Sequence, residues 1–143
     1  MRTARETGVF VRRGGRFLVL HRAHDRYWHI VAGVVEEGET FAEAAARELH
    51  EETGLGPNAL LRHVGMTQGY LVPEATRHEY GPGIEQITIE SFAIDAPPEW
   101  EPVLNEEHDR YQWLDLSDAI AIAHWPETLE IIAALAAPTP EAR

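Results

Sequence analysis

Residues 33–55 read GVVEEGETFAEAAARELHEETGL, and here the chain changes from strand to helix periodicity. Thr40 followed by Glu43 has the spacing of a capping box, in which each side chain satisfies the other residue's backbone N–H. The run FAEAAARELHEET is rich in strong helix formers, and Gly54 supplies a residue able to turn left-handed at its end. A helix is therefore expected between Thr40 and Gly54. Within it Glu48, Glu51 and Glu52 stand at i, i+3 and i+4, so one face carries three carboxylates about 5–6 Å apart at Cβ. Each like-charged pair of this kind costs roughly 0.2–0.5 kcal/mol. Either that face is solvated or a cation offsets the repulsion. Magnesium suits the second case, because it takes oxygen ligands and retains waters that phosphate oxygens can replace.

Outward from the helix, TGVFVR (7–12) and RFLVLH (16–21) are apolar, β-branched runs separated by Arg13-Gly14-Gly15, the pattern of a hairpin. YWHIVAGVV (27–35) reads as one further strand. Residues 63–70 and 84–95 resume strand character around a turn-rich segment with Pro73, Gly81, Pro82 and Gly83, and Pro97-Pro98 breaks the chain. Two helices are expected to close it, Leu116 to His124 with Ser117 as N-cap and Glu127 to Ala136 with Pro126 at its start. On the last helix, Leu129, Ile132 and Ala136 suit either a core or a homodimer interface. Strands, a central helix, more strands and terminal helices give an α/β (α+β) class, with a mixed sheet sandwiched between helices. One domain over residues 1–137 and a flexible tail over 138–143 are expected.

Twelve Lys and Arg against twenty-four Asp and Glu leave a net charge of −12, which argues against a nucleic-acid polymer as partner. A phosphate ligand would then need a divalent cation between it and the carboxylates. The absence of cysteine excludes a disulfide scaffold, a thiolate metal site and a cysteine nucleophile. No apolar run approaches the roughly 18 residues of a membrane span, and a cytoplasmic protein is expected.

The opening stretch also carries Gly33, five residues, Glu39, seven residues, then Arg47-Glu48-Leu49-His50-Glu51-Glu52-Thr53-Gly54-Leu55. This resembles the Nudix box at every fixed position, a coincidence on the order of once in 10⁹ starting points at average composition. The resemblance implies a Nudix fold and a hydrolase of phosphoanhydride bonds in small molecules. It also implies Mg²⁺, or Mn²⁺, held by Glu48, Glu51, Glu52 and an additional ligand at Glu107, with the catalytic base at Glu51 or Glu107, or at Glu52. Arg47 is expected to orient a glutamate of its own helix, its alternative being an ordinary surface cation. Gly33 and Gly38 are read as allowing loop geometry before the helix, Glu39 as completing the box, and Gly54 as the turn after it.

Outside the box, Tyr27-Trp28-His29-Ile30-Val31-Ala32-Gly33, Arg77-His78-Glu79-Tyr80-Gly81-Pro82-Gly83 and Glu107-His108 with Gln112-Trp113-Leu114-Asp115 are similar to segments of bacterial dihydroneopterin triphosphate pyrophosphatases within the family. His29-Ile30 and Ala32 depart from that pattern. The resemblance implies cleavage of a triphosphate, dihydroneopterin triphosphate or a deoxynucleoside triphosphate such as dATP, to the monophosphate and pyrophosphate. Hydrolysis of dinucleoside polyphosphates and non-catalytic nucleotide sensing are the alternatives. Arg22, Trp28, Arg77 and His108 are the candidate substrate-binding residues. Arg22 is also readable as a surface cation, His108 as a structural histidine, and Trp28, Trp113 and Trp125 as core.

Overall fold

The runs 7–12 and 16–21 are nearly continuously apolar because helices cover both faces at the centre of the sheet. The computed structural model describes residues 1–56, 59–123 and 125–136. In chain order they form β1 (Arg5–Arg13), β2 (Arg16–Arg22), β3 (Trp28–His29), β4 (Val31–Val34), α1 (Phe41–Thr53), β5 (Arg62–Leu71), a 3₁₀ helix (Glu74–Glu79), β6 (Gln86–Asp95), β7 (His108–Leu114), α2 (Leu116–Ile122) and α3 (Pro126–Ala136). The sheet runs β3-β2-β1-β6-β5, with β4 added to β1 and β7 to β2. Only the β1–β6 pair is parallel, so the sheet is mixed.

Alternation along the strands divides the interior in two. Val9, Val11, Leu18 and Leu20 point towards Ala45 and Leu49 of α1, with Phe92 and Ile94 beside them. Phe10, Phe17 and Ala93 point the other way, onto Ala119 of α2 and Ile131 and Ile132 of α3. This is the mixed sheet with flanking helices that the sequence implies. Ile132 lies in the core, the first of its two alternatives.

Two local expectations change, and one strand appears where the sequence reading has none. The run 27–35 is two strands, because β3 stays on β2 while β4 joins β1 along Glu6–Val9, where β1 and β2 have already parted. Residues 108–114 form β7 although only Tyr111, Trp113 and Leu114 are apolar; the strand covers the second edge of β2 and turns Asp109, Arg110 and Gln112 outward. The N-cap of α2 is Asp115, whose carboxylate accepts from the Asp118 N–H, and the Ser117 hydroxyl donates to that same carboxylate. The described part of α2 ends at Ile122; His124 and the expected tail, 138–143, lie outside the described residues. The capping box of Thr40 and Glu43 forms in both directions, and Gly54 closes α1 in the left-handed region at φ 79°.

Candidate active site

The apolar stripe of α1 is Ala45 and Leu49, so residues one step round the helix, Glu48 and Glu52, are carried under β4 rather than into solvent. Glu52 is 3% exposed and lies against the Ala32 backbone. Glu48 lies beside it within hydrogen-bonding reach. Burial first, and the neighbouring Glu48 second, push the Glu52 carboxyl far above the usual carboxylate range. Space for the pair comes from Gly33: a Cβ there would lie 2.2 Å from Glu48 Cδ. Gly33 thus serves close approach of β4 to α1 and not the loop geometry expected of it, whereas Gly38 does take a left-handed φ of 85°.

Arg47 fixes this arrangement through its guanidinium fork. Its Nε and Nη2 donate to the two oxygens of Glu39 at 2.7 and 2.9 Å, Nη2 also reaches the Val34 carbonyl at 3.0 Å, and Nη1 donates to Glu48 Oε1 at 2.8 Å. Glu39 in turn accepts from the Glu36 N–H at 2.9 Å. The arginine therefore does reach a glutamate of its own helix, but its bidentate partner is the loop residue Glu39, whose carboxyl it holds below the ordinary range. Of the three helix carboxylates, Glu48 and Glu51 share Arg47 Nη1, and Glu48 and Glu52 are the two that are buried. Glu51 is half exposed and turns to Arg47 Nη1 at 3.4 Å, leaving Glu48 and Glu52 as the close pair. Among the described residues no three acidic or imidazole side chains close on one metal position.

His108 opens β7 against the same acids. Its Nε2 is 3.9 Å from Glu52 Oε1, and its buried Nδ1 has no hydrogen-bond partner. Burial, then the charge of Arg22, bring its pKa down to about 4, so the ring is neutral at pH 7. Glu107 is exposed in the preceding turn. Its carbonyl accepts from the Ala23 N–H and its N–H donates to Asn105 Oδ1, while Asn105 Nδ2 donates to the Glu51 carbonyl at the end of α1. Asn105, which sequence reasoning passed over, therefore ties the Glu107 turn to the acidic helix. Its only signal is a polar side chain two residues before Glu107.

A cavity of about 600 Å³ lies over the sheet face that α3 covers. Tyr27, His29 and Trp125 give it aromatic walls; Phe10, Ile30, Ile89 and Ile131 make it apolar; Glu6, Gln68 and Tyr70 are among its polar groups. Tyr27 and Trp125 meet edge to face at 6.2 Å, and His29 Nε2 lies 3.1 Å from Thr128 Oγ1. Ala32 and Gly33 line this cavity, so β4 is the wall it shares with Glu48 and Glu52. Arg22 lines both it and a smaller cavity of about 320 Å³ containing Glu107, and its Nε donates to Asp25 at 3.0 Å. Two proposed binding residues lie elsewhere. Trp28 alternates away from Tyr27 and His29 and packs on His21 and Arg110, and Arg77 is on the exposed 3₁₀ helix, 3.5 Å from Glu74. That helix bears on the cavity only indirectly, since Glu79 binds Arg2.

A family model for the NUDIX domain matches residues 2–135. The chain belongs to the Nudix family. Among curated relatives of this Nudix hydrolase, dihydroneopterin triphosphate diphosphatase of Escherichia coli K12 is 37% identical over 111 residues, 75% of this chain and 73% of that protein. Octanoyltransferase of Myxococcus xanthus is 34% identical over 110 residues, 73% of this chain, and the chain spans only 28% of that protein. The solved structure of the E. coli dihydroneopterin triphosphate pyrophosphohydrolase superposes with a TM-score of 0.78 at 30% identity, covering 92% of this chain and 93% of that one. Nudix hydrolases generally use divalent metal ions. The residues here fit one: two adjacent buried carboxylates are hard oxygen donors, and Gly33 gives up its side chain to the space they occupy. No helix among the described residues is long and apolar enough to cross a membrane.

Proposed function

We propose that this Nudix hydrolase cleaves a triphosphate carried on a flat heterocycle, dihydroneopterin triphosphate or a deoxynucleoside triphosphate such as dATP, to the monophosphate and pyrophosphate, with Mg²⁺ as its ion. The observation that carries this reading is the shared wall: Ala32 and Gly33 border a ring-sized, aromatic-sided cavity and also touch the buried pair Glu52 and Glu48. A cavity of about 600 Å³ is in the range that holds small-molecule ligands, roughly 300–1,000 Å³. The name of the E. coli relative supports the same substrate class.

In this reading Glu48 and Glu52 hold the ion, with Arg47 orienting Glu48. When bound, the ion neutralises phosphate charge and polarises the phosphorus under attack. Arg22, between the two cavities, donates charge-assisted hydrogen bonds to phosphate oxygens. Glu51 and Glu107 are the exposed carboxylates on the acidic side, and in this reading one of them accepts the proton of the attacking water. His108, neutral and buried, hydrogen-bonds without adding charge.

The test is a substrate panel with Mg²⁺ in which products are identified. Pyrophosphate release from dihydroneopterin triphosphate or a deoxynucleoside triphosphate is expected. Two nucleotides released from a dinucleoside polyphosphate, with no pyrophosphate from any triphosphate, would replace this reading with that activity. Tight binding without turnover would make the chain a sensor.

A further inference from the structure

The cavity's sheet face carries polar groups that neither metal binding nor phosphate binding uses. Glu6 of β1 and Gln68 of β5 are both in register with Ile89 of the intervening β6, so all three project from one face, the one facing α3. Tyr70, two residues along β5, shares that face and donates its hydroxyl proton to Glu6 Oε1 at 2.8 Å. Arg2 Nη2 is 3.6 Å from Glu6 Oε2, beyond hydrogen-bond distance. Gln68 Nε2 donates to the Glu127 carbonyl at 3.0 Å and to the Glu130 carboxylate. Those two acceptors determine which end of the amide is nitrogen. Gln68 Oε1 is then an acceptor, and it is buried with no partner.

Glu6 therefore keeps acceptor capacity on the cavity face, with Arg2, which also lines the cavity, beside its second oxygen. An ionised carboxylate presents about four lone-pair sites, of which Tyr70 occupies one. Burial raises the Glu6 carboxyl above its ordinary range against the opposing effects of Tyr70 and Arg2. A ligand edge made of N–H donors would use that capacity. The 2-amino-4-oxo pyrimidine ring common to pterins and guanine has such an edge, a ring N–H beside an exocyclic NH₂, spaced for the two oxygens of one carboxylate. Adenine alternates its amino donor with ring acceptors, which an ionised carboxylate repels.

We infer that Glu6 reads the heterocycle, accepting the paired N–H donors of a 2-amino-4-oxo ring and selecting it over adenine. The inference rests on the reading that the cavity holds the substrate's ring. Tyr70 positions the carboxylate.

The test is Glu6→Gln, which keeps shape but replaces one acceptor with a donor. Two measurements are made: kcat/KM with Mg²⁺ for dihydroneopterin triphosphate, dGTP and dATP, and calorimetric binding of dGMP and dAMP, which requires no turnover. Wild type should favour the 2-amino-4-oxo ring in both. In the variant, dihydroneopterin triphosphate, dGTP and dGMP should lose about 10–100-fold, the range expected for hydrogen bonds to a charged group, while dATP and dAMP stay within about threefold. Equal losses for both rings, or no loss for either, overturn the inference. Should the variant fail to fold, Tyr70→Phe carries the test: it releases the carboxylate's orientation and must weaken dGMP more than dAMP. A wild type that releases no pyrophosphate but binds dGMP over dAMP through Glu6 would overturn the proposed activity and leave the ring reader standing.

Discussion

Gly33→Ala adds one methyl group at the wall between the cavity and the acidic pair. Its Cβ would stand 2.2 Å from Glu48 Cδ and 2.7 Å from Glu48 Cγ. Carbon atoms pack at about 3.5–4.0 Å, so the carboxyl end must retreat by about 1.5 Å. Gly33 is not in the left-handed region, so alanine brings no backbone strain of its own, and the whole effect passes through Glu48. Retreat breaks the 2.8 Å bond from Arg47 Nη1, a charge-assisted hydrogen bond between largely buried groups worth about 1.5–3 kcal/mol. For a chain of this size that is a fall in Tm of about 4–10 °C in the metal-free protein. Displacing a ligand by disturbing its support typically costs about 10–100-fold in metal affinity or activity. Thermal melts, calorimetric Mg²⁺ titration and pyrophosphate release read the three effects. The double variant Gly33→Ala, Glu48→Ala removes the overlap; it should regain part of the lost Tm while staying inactive. A single variant with wild-type Tm and wild-type Mg²⁺ affinity would refute the account of Gly33.

Glu52 gives a pH dependence of definite sign. Its folded pKa is raised to about 10, chiefly by burial, so the metal-free fold keeps its full contribution below the ordinary carboxylate value and loses it as pH climbs towards 10. Glu52→Gln should flatten that decline and raise the metal-free Tm at pH 8 while abolishing hydrolysis; parallel Tm–pH curves, or turnover at the wild-type rate, would contradict the assignment. Trp28→Ala and Arg77→Ala should each change KM by less than about threefold, because neither side chain lines the cavity. A tenfold rise in KM for either would return that residue to the substrate.

The parts of the fold legible in the sequence are those decided by neighbours a few residues apart. The Thr40–Glu43 box, the left-handed stop at Gly54 and the i, i+4 relation of Glu48 and Glu52 are all set by local backbone geometry. Whether those acids face water is not local. It depends on β4 lying over α1, which the spacing from Gly33 to Glu48 does not reveal until the strand is paired to β1. The position of Trp28 outside the cavity lining is hidden for a related reason. In a run such as YWHI, parity separates the faces, but only the pairing of Trp28 with His21 says which face looks into the cavity. β7 is hard to read because its outward side chains are polar or charged, which hides a strand whose inward positions are Tyr111 and Trp113.

The same distinction separates chemistry from selectivity. The carboxylates proposed to hold the metal lie four residues apart on one helix, and a spacing rule finds them. The groups facing the ring come from Glu6 and Gln68, sixty-two positions apart, joined only because Ile89 of β6 is in register with both. A one-residue slip of β5 against β6 would turn Gln68 and Tyr70 to the opposite face and leave Glu6 without the hydroxyl that orients it. The bulge in β5 between His63 and Thr67, before the Gln68-to-Leu71 pairing, lies where that register is set. If Glu6 reads the ring as proposed, substrate choice is a property of sheet register, and it can change without altering any residue of α1.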